Sequence, residues 1–244
     1  LGAGRLVSGM GHDSCDLWPG SDIASTSSCS RTPVTIPGLA DVIALAAGQS
    51  HNCALLATGR LRCWGSNGIG ELGNGERTRQ GPRELAPPDV VGIASAVAVA
   101  VGTSHSCAAL QDGSVWCWGH NSSAQLGYAP RPEEVQAYEA FSAVPIKVPG
   151  LSDAVAVSAG DYHSCALRKT GAVRCWGDNR RGQLGLGATT PNPMLPGPDV
   201  MGMADALEIS SGSDRTCARL ASGSVKCWGA SFNATVQPAH SAPM

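Results

Sequence analysis

The chain has 244 residues, 43% of them hydrophobic, and 17 Lys and Arg against 19 Asp and Glu give a formal net charge of −2. That balance supplies no cationic excess to neutralise a phosphate backbone, which argues against a nucleic-acid partner, and no run of 18 apolar residues is present to span a membrane. Thirty-one glycines, ten cysteines and only two phenylalanines describe turns and small packed side chains rather than a bulky aromatic core. An even number of cysteines in regular pairs fits an oxidising compartment, because cytosolic reductants keep such thiols reduced, so a secreted or cell-surface protein is expected. The chain opens LGAGRLVSGM, with neither an initiator Met nor a signal peptide, and reads as a mature or excised segment.

In chain order, residues 1–32 hold SGMGHDSCDLWPGSDIASTSSCS, in which Cys15 and Cys29 stand far apart and no Trp-Gly follows the second. Two readings stay open here: a degenerate first repeat, or an inserted loop closed by its own bridge. A period then dominates the chain. AAGQSHNCALLATGRLRCWGSNGIGELGNG (46–75), AVGTSHSCAALQDGSVWCWGHNSSAQLGYA (100–129) and SAGDYHSCALRKTGAVRCWGDNRRGQLGLG (158–187) align without a gap, and SSGSDRTCARLASGSVKCWGASFN (210–233) starts a fourth copy that loses its tail. The repeats are bounded as 33–85, 86–142, 143–190 and 191–244, in one all-β domain. Their first cysteines are 54, 58 and 52 residues apart, so the variation falls in the connectors. These are proline-rich loops such as GPRELAPPDVV and TPNPMLPGP, each leading into a short apolar strand such as Val42 to Ala47 or Val155 to Ala159.

Between the cysteines of each clear repeat a glycine recurs at one place: Gly59, Gly113, Gly171 and Gly223. A three-residue loop ending in a left-handed glycine is a common hairpin connection. If Leu56 faces Arg60 across that loop, antiparallel register sets Cys53 opposite Cys63, and likewise Cys107 opposite Cys117, Cys165 opposite Cys175, and Cys217 opposite Cys227. These pairs fall at a non-hydrogen-bonded position, close enough for a disulfide. Each bridge would stabilise its hairpin by roughly 2 to 3 kcal/mol, which matters because isolated hairpins are marginal.

A metal site is the competing reading of His51-Asn-Cys53, His105-Ser-Cys107 and His163-Ser-Cys165. The paired spacings of zinc sites are missing, and the fourth copy has Arg215 in place of the histidine without losing its cysteines. No metal or cofactor is expected, and these histidines are expected to bond neighbouring backbone. Alternation puts Leu55, Leu61 and the cysteines on one face of the hairpin and Ala54, Leu56, Arg62 and Trp64 on the other. Arg62, Trp116, Arg174 and Lys226 vary at one position, which predicts exposure. Trp64, Trp118, Trp176 and Trp228 do not vary, as a packing post between stacked units requires.

The pattern GxxHSCAL, glycine, V.CWG.N..GQLG resembles the repeat of the regulator of chromosome condensation family in its cysteine-bearing extracellular variant, over residues 33 to 237. The resemblance implies a β-propeller with blades of about four strands, usually seven in a closed ring. Four clear copies and one degenerate copy fall short of seven, so the ring is completed by sequence outside this chain, is smaller, or is closed by another chain. The founding member is a chromatin-bound exchange factor for a small nuclear GTPase, a role that paired cysteines and the lack of a basic tail argue against here.

The functional expectation is an extracellular, non-catalytic binding module whose propeller face recognises a protein or a surface glycan. Contact candidates are residues that differ between repeats at equivalent places: Trp116, His120, Asp161, Tyr162, Asp178, Arg180 and Arg181. The alternative is a structural or assembly segment of a larger surface protein, with self-association through incomplete propeller edges. An enzyme is not expected, since the sequence has no G-x-S-x-G, H-E-x-x-H or phosphate loop. Two sequons, Asn121-Ser-Ser123 and Asn233-Ala-Thr235, are candidate glycan acceptors.

Overall fold

Glycine-punctuated runs of six or so residues with alternating apolar character are too short for helices and build strands instead. In the computed structural model, which describes residues 33, 35–78, 86–136 and 139–230, they form four antiparallel sheets in sequence order. Blade 1 comprises β1 (Val42–Ala47), β2 (His51–Leu56) and β3 (Leu61–Gly65). Blade 2 comprises β4 (Ala96–Val101), β5 (His105–Leu110), β6 (Val115–His120) and, after the one-turn helix α1 (Pro132–Gln136), β7 (Phe141–Lys147). Blade 3 comprises β8 (Ala154–Ala159), β9 (His163–Arg168) and β10 (Val173–Gly177), and blade 4 comprises β11 (Ala206–Gly212), β12 (Arg215–Leu220) and β13 (Val225–Gly229). Cys15, Cys29 and Asn233 lie outside the described residues.

Among the described residues, only blade 2 has the four strands that the family resemblance implies. In blades 1 and 3 single bridges, Arg62 with Asp89 and Gly177 with Met194, stand where a fourth strand would run. The connectors there carry Pro87 and Pro88, or Pro191, Pro193, Pro196 and Pro198, and proline cannot donate to a strand ladder.

The central hairpins follow the expected register. Leu56 N donates to Arg60 O and Gly59 N to Leu56 O, both at 2.9 Å, and Gly59 has φ +80°, which an L side chain rarely adopts. Each cysteine faces its partner, with Cα atoms 4.0 to 4.1 Å apart, and all four pairs are disulfides. The sulfurs of these repeats are therefore staples and unavailable as metal ligands.

The core lies between blades. Leu55 and Leu61 of blade 1 pack with Leu110 and Trp118 of blade 2; Ala109 and Val115 of blade 2 pack with Ala166 and Trp176 of blade 3; Leu167 and Val173 of blade 3 pack with Leu220 and Trp228 of blade 4. Each buried indole also donates backward, Trp118 Nε1 to Glu71 O at 2.8 Å, Trp176 Nε1 to Gln125 O at 2.9 Å and Trp228 Nε1 to Gln183 O at 2.9 Å. A tryptophan satisfies its N–H and fills the seam at once, which explains why it does not vary. Trp64, in the first described blade, is only half-buried.

The variable position before the second cysteine corrects the expectation of exposure: Arg62, Trp116, Arg174 and Lys226 are all half-buried. Arg62 pairs with Asp89 and reaches Gly38 O, and Arg174 pairs with Asp199 at 2.8 Å and reaches Gly150 O at 3.0 Å. Long guanidinium stems cover apolar surface while their heads tie down the connector.

Candidate functional site

In blades 1 to 3 the turn after Trp-Gly is built by two amide or carboxylate side chains. Asn67, Asn121 and Asn179 accept from Leu72 N, Leu126 N and Leu184 N through Oδ1, and donate through Nδ2 to Glu76 O, Tyr128 O and Ala188 O. Six residues after the glycine of Trp-Gly, Glu71, Gln125 and Gln183 accept from Ile69 N, Ser123 N and Arg181 N. Their other polar atom meets the residue just after Trp-Gly, with donor and acceptor matched copy by copy. Ser66 Oγ donates to the Glu71 carboxylate, Gln125 Nε2 donates to His120 Nδ1, and Gln183 Nε2 donates to Asp178 Oδ2. Asn121 is 0% exposed, so its sequon cannot accept a glycan in the folded chain.

The repeated histidines are likewise structural, but their partner is not backbone as expected. His51, His105 and His163 place Nε2 on Ser106 Oγ, Ser164 Oγ and Thr216 Oγ1 of the following blade, at 2.7, 2.9 and 2.8 Å. Ser164 Oγ donates to Gln125 O, so it accepts from the Nε2–H of His105, which fixes a proton on that nitrogen. Burial lowers His51 and His163 to about 4 and His105 to about 3. Space beside these rings is tight: a Cβ on Gly160 would stand 2.5 Å from His163 Nδ1.

With the repeated polar residues bonded internally, the residues that differ between copies define the surface. Four of the seven candidates, His120, Tyr162, Asp178 and Arg180, line one cleft of about 580 Å³ between blades 2 and 3. His120 and Tyr162 meet edge to face with ring centroids 6.3 Å apart. Asp178, 3% exposed, is held by Arg180 Nε at 2.9 Å and Nη2 at 3.2 Å, leaving the exposed guanidinium oriented on the cleft floor. Burial lowers the pKa of His120, favouring the neutral ring. Asp161 lies in an adjoining depression that Tyr162 also lines and that runs past Gly48, Gly102, Gly160 and Gly212; its Oδ1 accepts from Thr103 Oγ1 at 2.7 Å. Asp214 has a raised pKa, first from burial and then from Asp161 and Asp178.

The other two candidates stand apart. Arg181 is exposed beside Arg180 but does not line the cleft. Trp116 packs half-buried against the core between blades 1 and 2, with Nε1 on Ser114 Oγ at 3.1 Å. Sequence reasoning missed the walls, Val135 from the helical insertion and Pro191 and Pro193 from the blade 3 connector. The one signal for the insertion was the longer spacing, 58 residues, between Cys107 and Cys165.

Comparison with known families places this architecture. The model described as the regulator of chromosome condensation (RCC1) repeat matches residues 42–70, 96–125, 154–183 and 207–233, and a second RCC1 repeat model matches 58–109 and 112–167. The chain belongs to the RCC1 repeat family. Among RCC1-type relatives, the Homo sapiens protein named "Probable E3 ubiquitin-protein ligase HERC6" is 33% identical over 218 residues, 86% of this chain and 20% of its own length. Protein pim1 of Schizosaccharomyces pombe is 28% identical, covering 80% of this chain and 38% of its own. The mitochondrial RCC1 domain-containing protein RUG3 of Arabidopsis thaliana is 31% identical, covering 77% and 42%. In structure, the chain superposes on Prp20p of Saccharomyces cerevisiae with a TM-score of 0.75 at 20% identity, over 90% of this chain and 54% of that one. It superposes on human WBSCR16 with a TM-score of 0.71 at 17% identity, over 83% and 51%. The chain thus spans about half of these solved RCC1-type chains and less than half of the curated relatives.

Proposed function

We propose that this RCC1-type propeller segment is a non-catalytic module that recognises a protein partner through the cleft between blades 2 and 3, outside the cell. The observation that carries the reading is a division of labour. Residues common to the repeats are used in internal bonds and seams, whereas His120, Tyr162, Asp178 and Arg180, which differ between copies, meet in one depression, His120 and Asp178 being held there by Gln125 and Gln183. Tyrosine and arginine rank among the side chains that dominate binding energy when buried by a partner. Tyr162 and Arg180 are both exposed and both anchored, Tyr162 against His120 and Arg180 on Asp178, so little side-chain freedom is lost on binding. Among structural neighbours, Prp20p is described with Kap60 and for its binding to Gsp1p and histones, which supports a protein-recognition role for the scaffold. Four hairpin disulfides support an oxidising, extracellular setting.

The test is capture from native extracellular material by the wild type and by a His120→Ala, Tyr162→Ala, Arg180→Ala variant, with a glycan array run in parallel. Loss of a protein partner in the variant, with unchanged folding, is expected. Equal capture by both proteins overturns the site, and binding to the array alone replaces the protein partner with a glycan.

A further inference from the structure

In blades 1 to 3 the turn after Trp-Gly is one scaffold with a different outward chemistry in each copy. The Glu71 carboxylate, an acceptor only, takes a hydrogen bond from Ile69 N at 2.9 Å. Gln125 and Gln183 take the equivalent bond from Ser123 N and Arg181 N through Oε1, at 2.8 and 2.9 Å. With Oε1 committed, the other end of each glutamine is an amide donor. In blade 3 that donor meets Asp178 Oδ2 at 3.1 Å, and in blade 2 it meets His120 Nδ1 at 3.2 Å.

A donor facing a ring nitrogen requires a lone pair there, so Nδ1 is bare and the single proton of a neutral imidazole sits on Nε2. Burial favours that neutral ring. Nδ1 is turned to Gln125, which is 0% exposed. Nε2 has no partner among the described residues, yet it is not one of their buried unpaired nitrogens, which are Nδ1 of His51, His105 and His163. This N–H is therefore open to the cleft that His120 lines. At the equivalent places Ser66 gives its only hydroxyl proton to Glu71, and the Asp178 carboxylate accepts, so blade 2 alone of the three offers a donor here. The cleft lies between blades that each pack against a described blade on both sides.

The surroundings of this N–H define what it receives. The charged lining residues, Asp178 and Arg180, offset each other as an ion pair at 2.9 Å, and Val135, Pro191 and Pro193 supply apolar walls. A partner carboxylate would leave water without an unpaired cation to meet it, whereas a carbonyl oxygen needs only a donor. One donor among apolar walls suits an extended peptide, whose main chain brings the carbonyl and whose neighbouring side chain brings the apolar contact. We propose that His120 is a specificity-determining residue of the cleft, donating Nε2–H to a main-chain carbonyl of a peptide segment of the partner, with Gln125 as the positioning residue that keeps the proton on that nitrogen. The inference rests on the protein-recognition reading of the cleft given above.

The experiment has two arms, both on the full chain. Nitrogen NMR of the isotope-labelled protein at neutral pH, with His120 assigned by the signal lost in His120→Phe, is expected to show a proton on Nε2 and none on Nδ1. Gln125→Glu, which installs the side chain of blade 1, is expected to put a proton on Nδ1. A wild-type proton on Nδ1 overturns the donor assignment, and an unchanged Nδ1 in Gln125→Glu overturns the positioning role. The binding probe is the set of linear peptides that the wild type retains from a random phage-displayed library. His120→Phe keeps a ring without the N–H and is expected to bind them on the order of tenfold more weakly, while His120→Gln, whose amide regains a donor, recovers most of the loss. Equal affinity in His120→Phe, with affinity lost in a Tyr162→Ala, Arg180→Ala variant, overturns this inference and leaves the cleft reading standing; equal affinity in both variants removes the cleft reading as well. Peptides that all require an acidic side chain, or no retained peptide at all, overturn the choice of a main-chain carbonyl.

Discussion

His105 Nε2 lies 2.9 Å from Ser164 Oγ, and that hydroxyl passes its own proton to Gln125 O, 2.9 Å away. The chain of donors ties blade 2 to blade 3, while the buried Nδ1 of His105 has no hydrogen-bond partner. Ser164→Ala leaves a buried imidazole N–H without a partner and is expected to destabilise the fold by about 1 to 3 kcal/mol, read as a shift in the urea midpoint. Ser164→Thr is expected to cost much less, because Thr216 occupies the same place in blade 4.

Acid should loosen the blades in a defined window. His51, His105 and His163 are lowered to about 4, 3 and 4 in the fold, against an ordinary value of 6.5 in the unfolded chain. Below pH 6.5 the unfolded state binds protons that the native state refuses, so the contribution is complete above 6.5 and is lost as pH falls toward 4. Each pH unit within the window removes up to about 1.4 kcal/mol per histidine. Urea midpoints at pH 7.5 and pH 5 check this, with a clearly lower midpoint expected at pH 5.

The indoles should rank by burial. Trp176→Phe removes a donor from Gln125 O and opens space in a site with 0% exposure, and is expected to cost about 2 to 3 kcal/mol. Trp64→Phe, at a half-buried position, is expected to cost less, under about 1 kcal/mol. Thermal or urea unfolding of the two variants side by side gives the order.

Gly160→Ala should fail where Gly197→Ala does not. A methyl at 160 meets His163 Nδ1 at 2.5 Å and Gly212 O at 2.6 Å, while at 197 its nearest neighbour is Leu195 O at 3.6 Å. Overpacking of the first kind costs about 1 to 3 kcal/mol, measured by the same unfolding curves.

Much of this was legible in the sequence, because a hairpin is a local object. Gly59 and the ten-residue cysteine separation determine turn, register and bridge without reference to the rest of the chain. Contacts between blades were less legible. Nothing in the His-x-Cys triplet tells that the imidazole reaches the hydroxyl 53 to 59 residues onward, and free variation at Arg62 and Arg174 concealed two arginines clamped to Asp89 and Asp199. Variation between copies pointed to four residues that line the cleft, although two of them, His120 and Asp178, are also bonded internally to Gln125 and Gln183. Trp116 misled the same argument, because its variation reflects half-burial against a neighbouring blade. The cleft walls Val135, Pro191 and Pro193 come from connectors with no repeat to compare them against.

Peptide mapping of the natively isolated protein, thiols trapped at lysis and no reductant added, tests the account most directly. It predicts disulfide-linked peptides joining Cys53 to Cys63, Cys107 to Cys117, Cys165 to Cys175 and Cys217 to Cys227. Trapped free thiols at the buried pairs would contradict both the stapled blades and the oxidising setting proposed for them.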